Sequence, residues 1–154
     1  MAFVRAAAEA ERRWFYGGGI HTWLAAPEDT GGAYLLIHDE LEGGKATPLH
    51  VHPDSDESFY VLAGEITVHV DGTDHYVKAG GIAMAARGVA HAFLVTSPTA
   101  ELLYLHTPGA CAAFYREASE PLGDERKVDF DRVRAAAMTD PGIELLGPPP
   151  FAQP

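Results

Sequence analysis

Three histidines and one glutamate carry the spacing best suited to chemistry in this chain. His50 and His52 stand at i and i+2, Glu57 follows five residues later, and His91 lies further downstream. On a β-strand, residues two apart point to the same face, so both imidazoles can address one point. Glu57 opens the next strand, after the turn Pro53-Asp54-Ser55-Asp56, and shares a face with Phe59 and Val61. His91 shares a face with Phe93 and Val95. These apolar companions predict that both faces look inward, with Glu57 arriving from the adjacent strand and His91 from a distant one. Two histidines and a carboxylate form a facial ligand set for a divalent transition metal. A third imidazole makes the set N₃O, which suits Fe, Mn, Ni, Co, Cu or Zn and suits Ca or Mg poorly. In an octahedral field, four protein ligands leave two positions for water, substrate or dioxygen. Buried without a cation, the same groups would leave polar atoms unpaired at about 1–3 kcal/mol each.

The remaining reactive side chains say less. His69 and His75 flank Asp71-Gly72 and are expected on an outer face. His21, His38 and His106 are read as structural, with room for one of them to orient a ligand. Arg87 precedes His91 in a turn; it suits an anionic substrate but is read as a solvated turn residue. Phe59, Phe93 and Met84 are candidates for an apolar pocket, and Met84 equally for ordinary core. Cys111 stands among Ala110, Ala112 and Ala113, which fits a small buried hydrophobe.

Elements that could position the four residues follow from the pattern. The 154 residues fit one domain, and 47% hydrophobic with 21% charged residues is ordinary for a globular protein. Sixteen glycines and eleven prolines favour many turns and short strands. Strands are expected at 20–24, 33–41, 47–52, 57–63, 65–70, 75–78, 82–85, 90–96 and 102–107. Asp71-Gly72 supplies the positive φ angles of a tight hairpin. Short helices are expected at 2–13, 111–118 and 129–138, the last capped by Asp129. Many short strands at near-regular spacing argue for a sandwich or closed barrel, placed at about 20–107, with 111–154 as its helical appendage, in a single domain over 1–154. Phe114 and Tyr115 are candidates to cover the barrel mouth or a dimer partner.

A net charge of −11 with no basic stripe argues against a nucleic-acid or anionic-membrane surface. The single cysteine excludes an internal disulfide. Charges interrupt the apolar runs of residues 1–14, and no stretch approaches a membrane span. The expected location is cytoplasmic.

The stretch Gly44-x5-His50-x-His52-x4-Glu57-x6-Gly64 resembles the first motif of the cupin superfamily at every position. Gly80-x5-Ala86-x-Gly88-x2-His91-x3-Val95 resembles the second, with Ala86 for the family's Pro and Val95 for its Asn. Neither departure falls on a ligand. The resemblance implies an all-β jelly-roll barrel, commonly a homodimer, with His50, His52, Glu57 and His91 as metal ligands. The sequence looks like the small single-domain cupins of the quercetin-dioxygenase-like type. That type implies a metal-dependent oxygenase acting on a small organic substrate, with Glu57 as general base. An isomerase, lyase or decarboxylase using the metal as Lewis acid is the alternative, as is a non-catalytic small-ligand binder.

Overall fold

The structure is a computed structural model that describes residues 2–152. The single-domain reading over 1–154 also takes in Met1, Gln153 and Pro154, which lie outside the described residues. Among the described residues, twelve strands run in chain order: β1 Glu11–Phe15, β2 Ile20–Ala25, β3 Leu35–Glu42, β4 Leu49–Val51, β5 Asp56–Ala63 and β6 Glu65–Val70, then β7 Thr73–Lys78, β8 Ile82–Ala85, β9 His91–Val95, β10 Thr99–Thr107, β11 Ser119–Pro121 and β12 Glu144–Gly147. The helices are α1 Pro27–Thr30, α2 Ala112–Glu117 and α3 Phe130–Thr139.

The strands form two antiparallel sheets. One has the order β11-β1-β2-β3-β10-β5-β8, and the other β12-β4-β9-β6-β7. Non-sequential neighbours mean that the chain crosses repeatedly between sheets, as a jelly roll does. Alternation decides which side chains fill the space between them. In β3, Leu35, Ile37, Asp39 and Leu41 are buried while their neighbours are not; in β10 the buried set is Ala100, Leu102, Tyr104 and His106. Each fully buried Leu, Ile, Val or Phe here is worth about 1.5–3 kcal/mol.

The expected strands from 20 to 107 form, with ends shifted by a few residues. Asp71 (φ 49°) and Gly72 (φ 76°) make the β6–β7 hairpin as its chemistry requires. α2 and α3 lie where expected, and the Asp129 carboxylate accepts from the Arg132 backbone N–H at 3.2 Å.

The Ala-rich N-terminus departs from expectation. Residues 2–13 do not form a helix: Ala7–Glu9 makes one 3₁₀ turn, and the chain then enters β1. Sheet pairing outweighs the weak helix preference of alanine, because β1 pairs with β2 on one side and β11 on the other. Phe15, buried at its end, is thereby delivered to the core. β12 was also not legible beforehand. Its Leu145 pairs with His50 of β4, so the segment after α3 closes the edge beside the histidines.

No helix among the described residues is long and apolar enough to cross a membrane.

Candidate metal centre

His50 sits on β4 and His52 just past its end, and both are buried. Glu57 opens the inward face of β5 with Phe59 and Val61, and His91 opens β9 with Phe93 and Val95; all six are buried. The expected inward faces are therefore correct, but their relation across space is not. His91 is the near neighbour, directly opposite His50 across the β4–β9 pair. Glu57 comes from the other sheet, because the turn at residues 53–55 carries the chain from one sheet to its partner. The cluster thus bridges the two sheets at one end of the barrel.

One ligand atom from each of these four residues lies within 4.8 Å of the others, an arrangement able to hold a metal ion. Glu57 Oε2 is 2.7 Å from His91 Nε2, 3.0 Å from His52 Nε2 and 3.8 Å from His50 Nε2. The opposite ring nitrogens are anchored. Nδ1 of His50, His52 and His91 lies 2.8, 2.9 and 2.8 Å from the carbonyls of Pro48, Gly142 and Val89. A carbonyl accepts only, so each Nδ1 carries its hydrogen and donates. Each Nε2 then turns a lone pair toward a carboxylate oxygen. Lone pairs converging on a carboxylate repel unless a cation stands among them, and His52 Nε2 is buried with no hydrogen-bonding partner. Donor set, orientation and this orphaned nitrogen all fit a divalent transition metal.

His106 completes the surroundings, in the orienting role expected of one unassigned histidine. It faces Glu57 in the β10–β5 register, with Nε2 3.3 Å from Oε1 and 3.0 Å from the Tyr115 hydroxyl. A carboxylate beside Nε2 demands a donor there, so His106 Nε2–H holds Oε1. The signal was present in sequence: Leu102, Tyr104 and His106 share one strand parity, and two of the three demand burial.

The other candidates fall elsewhere. His69 (with Asp74 at 2.6 Å) and His75 are on the outer face, as expected. His38 is half-buried near Glu101. Arg87 is an exposed turn residue paired with Asp56, 3.2 Å away, and does not face the cluster. Met84 is neither pocket nor core: it is 57% exposed on the outer side of β8. Cys111 is buried, and burial pushes its thiol well above the ordinary value. Phe114 and Tyr115 of α2 are buried and face inward, where they line a cavity with Phe59 and Phe93.

Charge in the cluster is arranged around Glu57. Burial alone would raise its carboxyl, but the neighbouring imidazoles of His106 and His52 hold it well below the usual carboxylate range. Burial disfavours charge on His52, yet Glu57 and the Gly142 carbonyl outweigh it and raise this imidazole above its ordinary value. Burial pushes His50 down to about 4 against the pull of Glu57. The raised value of His52 means that a proton on this imidazole competes with a metal for Nε2. A metal must displace that proton, so its affinity should rise with pH, about tenfold per unit while His52 is charged. Below about pH 4, protonation of His50 steepens the slope. Calorimetry of metal binding in buffers of different ionisation enthalpy should report proton release on binding that grows as the pH is lowered. Proton uptake on binding would contradict this assignment.

A jelly-roll barrel holding a His₃Glu cluster defines a class, and comparison with known proteins agrees with it. Residues 37–107 match the family model described as Cupin domain. The chain is 29% identical over 127 residues to quercetin 2,3-dioxygenase of Bacillus subtilis (strain 168), covering 79% of this chain but only 38% of that relative. Among solved structures it is similar to a predicted oxalate decarboxylase from Thermotoga maritima, with 26% identity and a TM-score of 0.61 over 69% of this chain and 99% of that one. KdgF from Halomonas sp. shares the fold, with 17% identity and a TM-score of 0.63 over 70% of this chain and 94% of that one.

Proposed function

We propose that the chain is a metal-dependent oxygenase acting on a small organic substrate. The observation that carries this reading is the convergence of three carbonyl-anchored imidazoles and Glu57 beside an aromatic-lined cavity. The similarity to a quercetin 2,3-dioxygenase supports oxygenase chemistry in particular.

His50, His52, Glu57 and His91 would hold the metal. When bound, a divalent transition metal supplies Lewis acidity and, if redox-active, electron exchange with dioxygen. The chain's own groups do the rest. Glu57 accepts the substrate's hydroxyl proton at Oε2, the oxygen turned toward the imidazoles, while His106 holds Oε1. The apolar rings of Phe59, Phe93 and Phe114 exclude water from the reacting end. The free interior is only about 50 Å³ within a void of about 580 Å³ counted out to its mouth. A substrate larger than a few waters must therefore displace side chains at the rim. Phe130, 48% exposed, is the rim side chain with room to move.

Oxygen uptake should follow addition of a flavonol, a diketone or a catechol to Fe-, Ni- or Mn-loaded protein. Glu57→Ala and His91→Ala should each lower it at least about 100-fold, within the range for general-base loss. No uptake with any of these substrates, or unchanged uptake in both variants, would sink the oxygenase reading. Turnover that persists without oxygen on redox-inert Zn would instead favour the Lewis-acid isomerase, lyase or decarboxylase. The likeness to a predicted oxalate decarboxylase is the observation that keeps this second reading in view.

A further inference from the structure

The histidine cluster uses one end of the cavity. At the other end stands a second set of buried polar groups that the proposed chemistry does not touch. His21 on β2 lies directly opposite Asp39 on β3, and each is 1% exposed. The Tyr104 hydroxyl donates to Asp39 Oδ2, and His21 Nε2 lies 3.3 Å from that same oxygen. Asp39 Oδ1 and His21 Nδ1 have no hydrogen-bonding partner in the protein. Lys45 lines the same cavity, its ammonium donating to the Gly17 carbonyl and lying 5.3 Å from the Phe15 ring centroid.

The glycine loop packs closely over these groups. A Cβ at Gly19 would stand 2.5 Å from Asp39 Oδ1, and one at Gly17 would stand 2.9 Å from Lys45 Nζ. The free carboxylate oxygen and the ammonium thus lie under one short loop that offers no side chain to pair with either. A single aromatic layer separates this polar end from the histidine cluster. Phe59 is 5.8 Å from Tyr104 and 5.9 Å from His91, centroid to centroid. Phe15 stacks on His21 at 4.8 Å.

We propose that His21, Asp39, Tyr104 and Lys45 form a second binding site in the cavity, which takes a hydroxyl group carried on an aromatic body. This rests on the reading of the cavity as a small-molecule site. The chemistry selects the ligand by elimination. A hydroxyl both donates to Asp39 Oδ1 and accepts from Lys45. A ligand carboxylate meets the like charge of Asp39, and a ligand ammonium meets that of Lys45. A plain hydrocarbon leaves Asp39 Oδ1 unpaired in a buried place, at about 1–3 kcal/mol. Burial pushes the Lys45 ammonium down to about 8, against the attraction of Asp39, so it still carries its proton at neutral pH.

Two probes of matched shape test the assignment: 4-methylphenol, and para-xylene, which lacks the hydroxyl. Binding is measured by calorimetry or NMR in zinc-loaded and in metal-free protein. The wild type should prefer 4-methylphenol by about tenfold or more in both forms, one hydrogen-bonded hydroxyl's worth of discrimination. Lys45→Met and Asp39→Asn should each cut the preference to about twofold or less, leaving para-xylene affinity and metal content unchanged. Circular dichroism checks that each variant folds, and Lys45→Met alone decides if Asp39→Asn does not. Absence of binding, or equal affinity for both probes in the wild type, overturns the site. A preference that survives Lys45→Met, or that disappears with the metal, places the hydroxyl elsewhere and overturns it too. The metal content of these samples is read independently. Loss of selectivity with intact metal binding fails only this inference, and selectivity without metal binding fails only the proposed function.

Discussion

Saturating the protein with a divalent transition metal, at a thousand times its dissociation constant, is expected to raise the free energy of unfolding by about 4 kcal/mol. For a chain of this length that is a rise in Tm of about 8–16 °C. The gain comes from ligands that are already placed. Three Nδ1–H groups are fixed on backbone carbonyls, so little further ordering opposes binding. A chelator should reverse the shift. His91→Ala, which removes the ring nearest Glu57, should abolish most of it. His69→Ala, on the outer face beside Asp74, should retain all of it. Differential scanning calorimetry with and without metal makes the comparison. An equal shift in wild type and His91→Ala would mean that the ion binds somewhere else.

Gly64→Ala should be the most damaging single-methyl change in the first motif. Gly64 joins β5 to β6 at φ +80°, and a Cβ there would stand 2.3 Å from the Thr99 carbonyl oxygen and 2.9 Å from Ala100 Cα. Both obstacles are backbone of β10, the strand that pairs with β5, so neither can yield without disturbing the sheet. Left-handed strain of about 1–2 kcal/mol adds to that displacement. We expect a loss of about 3 kcal/mol or more, measured by denaturant unfolding. Gly72→Ala is the control. Its φ is +76°, but nothing lies within 4 Å of the added methyl, so only the strain of about 1–2 kcal/mol should remain. Equal losses at the two positions would show that contact with β10 does not matter.

The candidate site was legible because strand parity is a strong local rule. His50 with His52, Glu57 with Phe59, and His91 with Phe93 each declare a face within a few residues. What parity does not carry is which strands become neighbours. His91 was expected from a distant strand and proves to be the partner directly opposite His50. Glu57, next in sequence, arrives from the opposite sheet. A turn of a few residues serves a hairpin and a crossing between sheets equally well, and only the whole topology decides between them. The same limit hid His106. Its parity with Leu102 and Tyr104 marks an inward face, but its place beside Glu57 depends on the β10–β5 register. Residues 2–13 failed differently. Alanine content favours helix weakly, and the edge positions offered by β2 and β11 reward an extended chain more.

The carbonyl that holds His52 belongs to Gly142, ninety residues further along the chain. His50 and His91 are anchored within two residues of themselves, by Pro48 and Val89. As the polypeptide leaves the ribosome, all four candidate ligands are therefore synthesised long before one of them can be locked into orientation. A nascent chain ending before Gly142 carries the complete donor set with one ring unanchored, and β12 has yet to cover β4. The orientation of His52 therefore waits on a segment ninety residues beyond it, whereas His50 and His91 need only their own neighbours.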